Sequence, residues 1–234
     1  MSTNLKSLII KNRQRIIAEY GSEFWDYINE EISGKHFHLW EDFAKMFVEN
    51  IAFKGKLLDF GCGFGVESML LSSHCSSITG IDLDKIKISV FKKLLKQTGI
   101  KNIKAQVVDG ENMPFRQKSF DFAFCNESLS HVGNIEKALA EIFRVLKTGG
   151  KIIVADTKRW HPYGLFMIYI KRDFEENYFN IWTMKRLLAQ AGYKDIKRVK
   201  YITAPRQPLR RWRHQLWPFL QFADPKYVLV GTKE

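Results

Sequence analysis

The chain has 234 residues, 45% hydrophobic and 26% charged, which excludes intrinsic disorder and allows one sizeable buried core. Its longest apolar stretch, residues 163–170, is too short to span a bilayer, and the N-terminal MSTNLKSLIIKNRQR has neither a long apolar run nor a cleavage site, so no signal peptide is expected. The net charge of +12 points to an anionic partner without separating nucleic acid, acidic lipid and phosphorylated metabolite.

Cys62, Cys75 and Cys125 are an odd set with no Cys-x-x-Cys spacing. Neither a disulfide framework nor a zinc site is expected, and a reducing cytoplasm is the expected location. His36 and His38 stand two apart with no third ligand close by, and His161 is remote, so no metal is expected.

In chain order, residues 4–33 read as amphipathic helix, with Leu5, Leu8, Ile9, Ile16 and Ile17 on one side and Phe24, Trp25, Tyr27 and Ile28 following. Gly34 ends that region, and residues 38–52 read as a second helix. From there strands and helices alternate. Residues 56–60 form a buried strand, 65–73 a helix and 77–81 a strand. Asp84 caps a helix reaching Gln97, with Gly99 just past its end. Strands follow at 103–108 and 120–125, then a helix over 135–147 stopped by Gly149-Gly150, then a strand at 151–155. Thr183 caps a helix to Ala191, ended by Gly192, and strands at 196–202 and 227–230 close the chain. This alternation predicts an α/β fold: a parallel sheet covered by helices on both faces, with the two late strands forming an antiparallel edge. The chain reads as a single domain over 1–234, with an N-terminal helical cap (1–52), an inserted aromatic lid segment (157–180) and a basic aromatic insertion (203–225).

The stretch Leu58-Asp59-Phe60-Gly61-Cys62-Gly63-Phe64-Gly65 passes from the first strand into a helix. Glycines there let the backbone turn sharply and approach a ligand. The dinucleotide fingerprint needs glycines at 61, 63 and 66, but position 66 is Val66, so the run is Asp-x-Gly-x-Gly-x-Gly instead. Asp82 ends the second strand, where a carboxylate can take both ribose hydroxyls; Asp109 ends the third, where it can accept from an adenine amine; Asn126 ends the fourth. These are the carboxyl ends of parallel strands, where open α/β sheets bind ligands.

The segments LLDFGCGFG, ITGIDLD, VVDGENMPF, FDFAFCNESLSHV and FRVLKTGGKIIVAD together resemble class I S-adenosylmethionine-dependent methyltransferases of the ubiquinone-biosynthesis, small-molecule type. The resemblance spans residues 57–156 and extends to the last helix. It implies a Rossmann-like sheet of seven strands with one antiparallel strand near the edge. It also implies S-adenosylmethionine as cofactor, with Asp59, Gly61 and Gly63 around its methionine and Asp59 near the ammonium. Asp82 would hold the ribose hydroxyls, Leu83 would lie against adenine, and Asp109 would meet the adenine amine beside the backbone of Gly110 and Glu111. Asn126 would approach the methionine through its backbone.

Methyl transfer from a sulfonium asks the protein to align the nucleophile, exclude water and, for an oxygen or nitrogen nucleophile, accept a proton. His131, in the loop after the fourth strand, is the candidate base, because an imidazole suits base work near neutral pH. Asp156, ending the fifth strand, and Glu127, near the cavity mouth, are the other candidates. The expected substrate is a small-molecule methyl acceptor. Nucleic acid is disfavoured: exocyclic base-amine methylation in familiar enzymes uses an Asn/Asp-Pro-Pro-aromatic loop where this chain has Asn126-Glu127-Ser128-Leu129, and no cysteine motif for C5 methylation is present. The competing expectations are an RNA or protein methyltransferase and, from another class, a partner module that binds S-adenosylmethionine without turnover. Residues 157–180 are rich in aromatics and are expected to roof the acceptor pocket. Arg210, Arg211 and Arg213 beside Trp212 suit a phosphate or an anionic lipid surface, giving a protein expected to be cytoplasmic and peripheral at a membrane.

Overall fold

A computed structural model describes residues 51, 54–157, 179–199 and 226–234. The expected basic insertion, the N-terminal helical cap apart from Ile51, and the lid segment apart from Thr157, Phe179 and Asn180 lie outside the described residues, as do His36, His38 and His161.

The described elements are β1 (Lys56–Phe60), α1 (Val66–Leu71), β2 (Ser77–Asp82), α2 (Lys85–Thr98), β3 (Ile103–Val107), β4 (Phe120–Asn126), a 3₁₀ turn (Leu129–His131), α3 (Ile135–Val145), β5 (Leu146–Thr157), α4 (Ile181–Gln190), β6 (Tyr193–Arg198) and β7 (Lys226–Lys233). The strands form one seven-stranded sheet in the order β3-β2-β1-β4-β5-β7-β6. Strands β1 to β5 run parallel, while β7 is antiparallel to both β5 and β6. This is the Rossmann-like sheet of the expectation, with its antiparallel strand one place in from the edge.

The apolar run of β1 follows from burial on both sides. Successive residues of a strand point to opposite faces, so a strand at the centre of a two-sided sheet must be apolar throughout. Leu57 packs on one face with Met69 of α1 and Phe91 and Leu94 of α2. Its neighbour Leu58 packs on the other with Leu139 and Ile142 of α3 and Leu188 of α4. Both leucines are fully buried.

Local signals fix several helix ends. The Asp84 carboxylate accepts from the backbone N–H groups of Ile86 (2.8 Å) and Lys87 (3.1 Å), and Gly99 closes α2 in the left-handed conformation at φ 69°. Other boundaries differ from expectation. The first helix is shorter, starting at Val66 after left-handed Gly65 and stopping at Leu71. Asn180, not Thr183, caps α4: its Oδ1 accepts from the Thr183 N–H at 2.8 Å, so Thr183 supplies one of the first-turn donors that a cap must satisfy. The third helix ends at Val145, and Gly149-Gly150 fall inside β5, because Leu146 already pairs with Phe120. The sixth strand begins at Tyr193, and a register shift between Lys194 and Lys197 breaks its alternation. The last strand runs from Lys226 to Lys233, longer than expected at both ends.

The C-terminus of α3 carries a tertiary cap. The buried ammonium of Lys233 donates to the carbonyls of Phe143 (2.6 Å) and Leu146 (2.7 Å) and lies 4.6 Å from the Phe143 ring centroid. A cation at a helix C-terminus satisfies orphan carbonyls and the dipole together. Lys233→Met keeps the stem but removes those donors. It is expected to lower unfolding free energy by about 2 kcal/mol in a denaturant titration, with an unchanged midpoint counting against the cap.

Candidate active site

The chain leaves β1 toward β2 and β3, then returns to place β4 on the other side of β1. Such a reversal opens a crevice at the carboxyl ends of the strands. Here it holds a cavity of about 640 Å³, within the range of cofactor and ligand sites.

The glycine run builds one wall. Gly61, Gly63 and Gly65 all have positive φ, at 70°, 51° and 74°. The Cys62 N–H donates to the Ile81 carbonyl at 2.9 Å, and the Gly63 N–H donates to Asp82 Oδ2 at 2.9 Å, so the loop is laced to the end of β2. Asp82 Oδ1 accepts from the Asp84 N–H, also at 2.9 Å. Two backbone donors thus fix the Asp82 carboxylate while leaving lone pairs on both oxygens.

Opposite, the Asp109 carboxylate accepts from the Glu111 N–H at 2.8 Å, and Glu111 Oε1 accepts from the Asn134 N–H at 2.8 Å, tying this loop to the start of α3. Arg144 holds the loop from below. Its guanidinium donates to the carbonyls of Met113 and Phe115 and to both oxygens of Glu141, whose carboxyl it holds below the usual range. Glu141 in turn accepts from the Met113 N–H at 2.8 Å.

Of the cofactor candidates, Gly61, Gly63, Asp82, Leu83, Asp109, Gly110, Glu111 and Asn126 all line this cavity. Asp59 does not. It lies beneath, 3% exposed, accepting from the Ser68 hydroxyl at 2.5 Å. Burial first, then the nearby Glu67 carboxylate, push the Asp59 carboxyl up to about 8, against the opposing bond from Ser68. Among the catalytic candidates, His131 and Glu127 line the cavity, whereas Asp156 is buried at the end of β5, in register with Tyr227 and off the cavity wall. Glu127 has φ 47°, a strained conformation for a non-glycine residue, and its N–H donates to the Ala155 carbonyl at 2.8 Å.

The structure adds two side chains that the motifs did not single out. Glu67 and Ser128 line the cavity, and Glu67 accepts from Asn126 Nδ2 at 2.9 Å. Asn126 Oδ1 and Ser128 Oγ are buried with no hydrogen-bond partner. The sequence signal for Glu67 is an acid in the first turn after a glycine loop, which also describes an ordinary dipole-favoured residue. The thiols of Cys62 and Cys125 are pushed well up by burial and are unreactive at neutral pH. Among the described residues no group of three or more His, Cys, Asp or Glu could hold a metal ion, and no helix is long and apolar enough to cross a membrane.

A crevice at the sheet's reversal, a positive-φ glycine wall, acids at the ends of β2 and β3 and two orphaned polar atoms describe a nucleoside-binding α/β site. Residues 58–154 match the family described as a methyltransferase domain. The uncharacterized methyltransferase YcgJ of Bacillus subtilis is 30% identical over 101 residues, covering 43% of this chain and 40% of the relative. Its crystal structure superposes with a TM-score of 0.62 at 18% identity, covering 83% of this chain and 98% of that one. The demethylmenaquinone methyltransferase of Staphylococcus epidermidis is 28% identical over 212 residues, covering 80% of this chain and 87% of the relative. The ubiquinone biosynthesis O-methyltransferase of Coxiella burnetii is 30% identical over 145 residues, covering 61% and 62%. The chain spans 40% of the length of the Bacillus protein, and 39% and 52% of the length of two further curated relatives.

Proposed function

We propose that this chain transfers a methyl group from S-adenosylmethionine to a small molecule through an oxygen or nitrogen nucleophile. The observation that carries the reading is the convergence of the glycine wall, Asp82, Asp109 and Asn126 on one cavity of cofactor size. When bound, S-adenosylmethionine supplies an activated methyl on a sulfonium. The chain's own work is then to hold and orient. Asp82, fixed by two backbone bonds, takes ribose hydroxyls. Leu83, 68% exposed beside the cavity, offers an apolar face for adenine. Asp109 and the backbone at Gly110 and Glu111 meet the adenine edge. His131 accepts the proton of the nucleophile, with Glu127 as the carboxylate beside it on the cavity wall.

The quinone-pathway names of two relatives support a small ring-bearing acceptor. The +12 charge and the Arg210, Arg211 and Arg213 cluster support an acceptor that is anionic or lipid-linked, and a cytoplasmic protein peripheral at a membrane.

The decisive experiment is incubation with S-adenosylmethionine and fractionated metabolite extract, following S-adenosylhomocysteine by mass spectrometry. Accumulation that depends on a small-molecule fraction supports the reading. Accumulation only with RNA or protein, or binding with no turnover, rejects it. Asp82→Ala is expected to weaken S-adenosylhomocysteine binding by roughly tenfold or more, as loss of a charged acceptor should. Unchanged affinity by calorimetry would remove Asp82 from the site.

A further inference from the structure

We propose that Glu67, seated by Asn126, is the anionic partner for the ammonium group of the amino-acid-bearing ligand in this cavity, the role that the motif alone gives to Asp59. The inference rests on the S-adenosylmethionine reading above.

Position comes first. Glu67 lines the cavity and Asp59 does not. Asp59 sits a layer deeper with the Ser68 hydroxyl on one oxygen. Glu67 is oriented from across the site: Asn126, at the end of β4, donates its Nδ2 to Glu67 Oε1 at 2.9 Å. That bond orients the Glu67 carboxylate on the cavity wall.

Hydrogen-bond capacity comes second. Asn126 has given its donor to Glu67, and its Oδ1 is buried with no partner. Ser128, 8% exposed, also lines the cavity with its Oγ unpartnered. Its Cβ lies 2.4 Å from where a Cβ on Gly61 would stand, which sets the serine directly against the glycine wall. Glu67, Asn126 and Ser128 therefore line one stretch of the cavity, between α1, the glycine loop and the end of β4. An ammonium brings three N–H donors and no acceptor, which answers all three. A carboxylate ligand there would meet like charge from Glu67 and leave the Asn126 oxygen unanswered.

Charge comes third. Burial, and then the proximity of Glu67, push the Asp59 carboxyl up, which weakens its pull on a cation.

Calorimetry on the full chain with two probes tests this. S-adenosylhomocysteine carries the ammonium without a sulfonium charge; 5′-methylthioadenosine keeps the nucleoside and lacks the amino acid. Glu67→Gln is expected to weaken S-adenosylhomocysteine by about tenfold or more while leaving methylthioadenosine near its wild-type affinity, which also shows that the variant is folded. Wild-type affinity for S-adenosylhomocysteine, equal loss of both probes, or a larger loss in Asp59→Asn than in Glu67→Gln would each overturn the assignment. If wild-type protein binds neither probe, the methyltransferase reading itself fails and this inference falls with it.

Discussion

Replacing His131 by alanine is expected to lower kcat by roughly 10²–10⁴ with little change in S-adenosylhomocysteine affinity. The expectation follows from where the side chain stands. Leu129 and Ser130 are 1% and 2% exposed and anchor the 3₁₀ turn, while His131, the next residue, is exposed at the cavity rim. The His131 N–H donates to the Ser128 carbonyl at 3.2 Å, which holds the imidazole above the loop whose other members, Asn126 and Glu127, also line the cavity. A base must reach the proton of an incoming nucleophile, and of the three candidates Asp156 is the one buried away from the cavity wall. Single-turnover rates of His131→Ala and Glu127→Gln on the identified acceptor separate the remaining two. Near-normal turnover in His131→Ala with collapse in Glu127→Gln would move the base to Glu127. Near-normal turnover in both would mean that the nucleophile needs no protein base.

The fold was legible because its strands are buried on both faces and its connections are capped locally. The apolar run 57–58, the Asp84 cap and the Gly99 stop are short-range signals, and they mark true element ends. Two of the misplaced boundaries involve partners remote in sequence. Leu146 leaves α3 because Phe120 is there to pair with it, whereas Gly149-Gly150 look like a helix stop when the sequence is read alone. In β6, Asp195 at φ 47° sits in the register shift and erases the period-two pattern from Tyr193 onward. The site divides the same way. Asp82, Asp109 and Asn126 could be placed because each follows a recognisable strand. Glu67 could not, because its contact with Asn126 joins positions 59 apart and no local spacing announces it. Asp59 was named as a motif acid, but its distance from the cavity wall depends on Ser68 and on the packing of α1 over β1.

The glycine wall offers the sharpest separation of folding from binding, because two of its members face different surroundings. Alanine at position 61 meets two costs. At φ 70° a Cβ carries the left-handed penalty, and it would stand 2.4 Å from the Ser128 Cβ, a distance that forces the β1–α1 and β4–α3 loops apart. Conformational strain of about 1–2 kcal/mol and overpacking of about 1–3 kcal/mol give a loss on the order of 2–5 kcal/mol. For a chain of this size that lowers Tm by roughly 5–15 °C. Alanine at position 63 meets only the first cost: at φ 51° its Cβ has nothing within 4 Å. Yet Gly63 lines the cavity, so the open space before it is the space a ligand would use. Gly63→Ala is therefore expected to lose about 1 kcal/mol of stability but roughly tenfold or more in S-adenosylhomocysteine affinity. Differential scanning calorimetry and titration on the two variants read the two effects independently. A Gly61→Ala protein melting with wild type would show that the loops part without cost. Undiminished affinity in Gly63→Ala would show that the ligand does not approach this stretch of backbone.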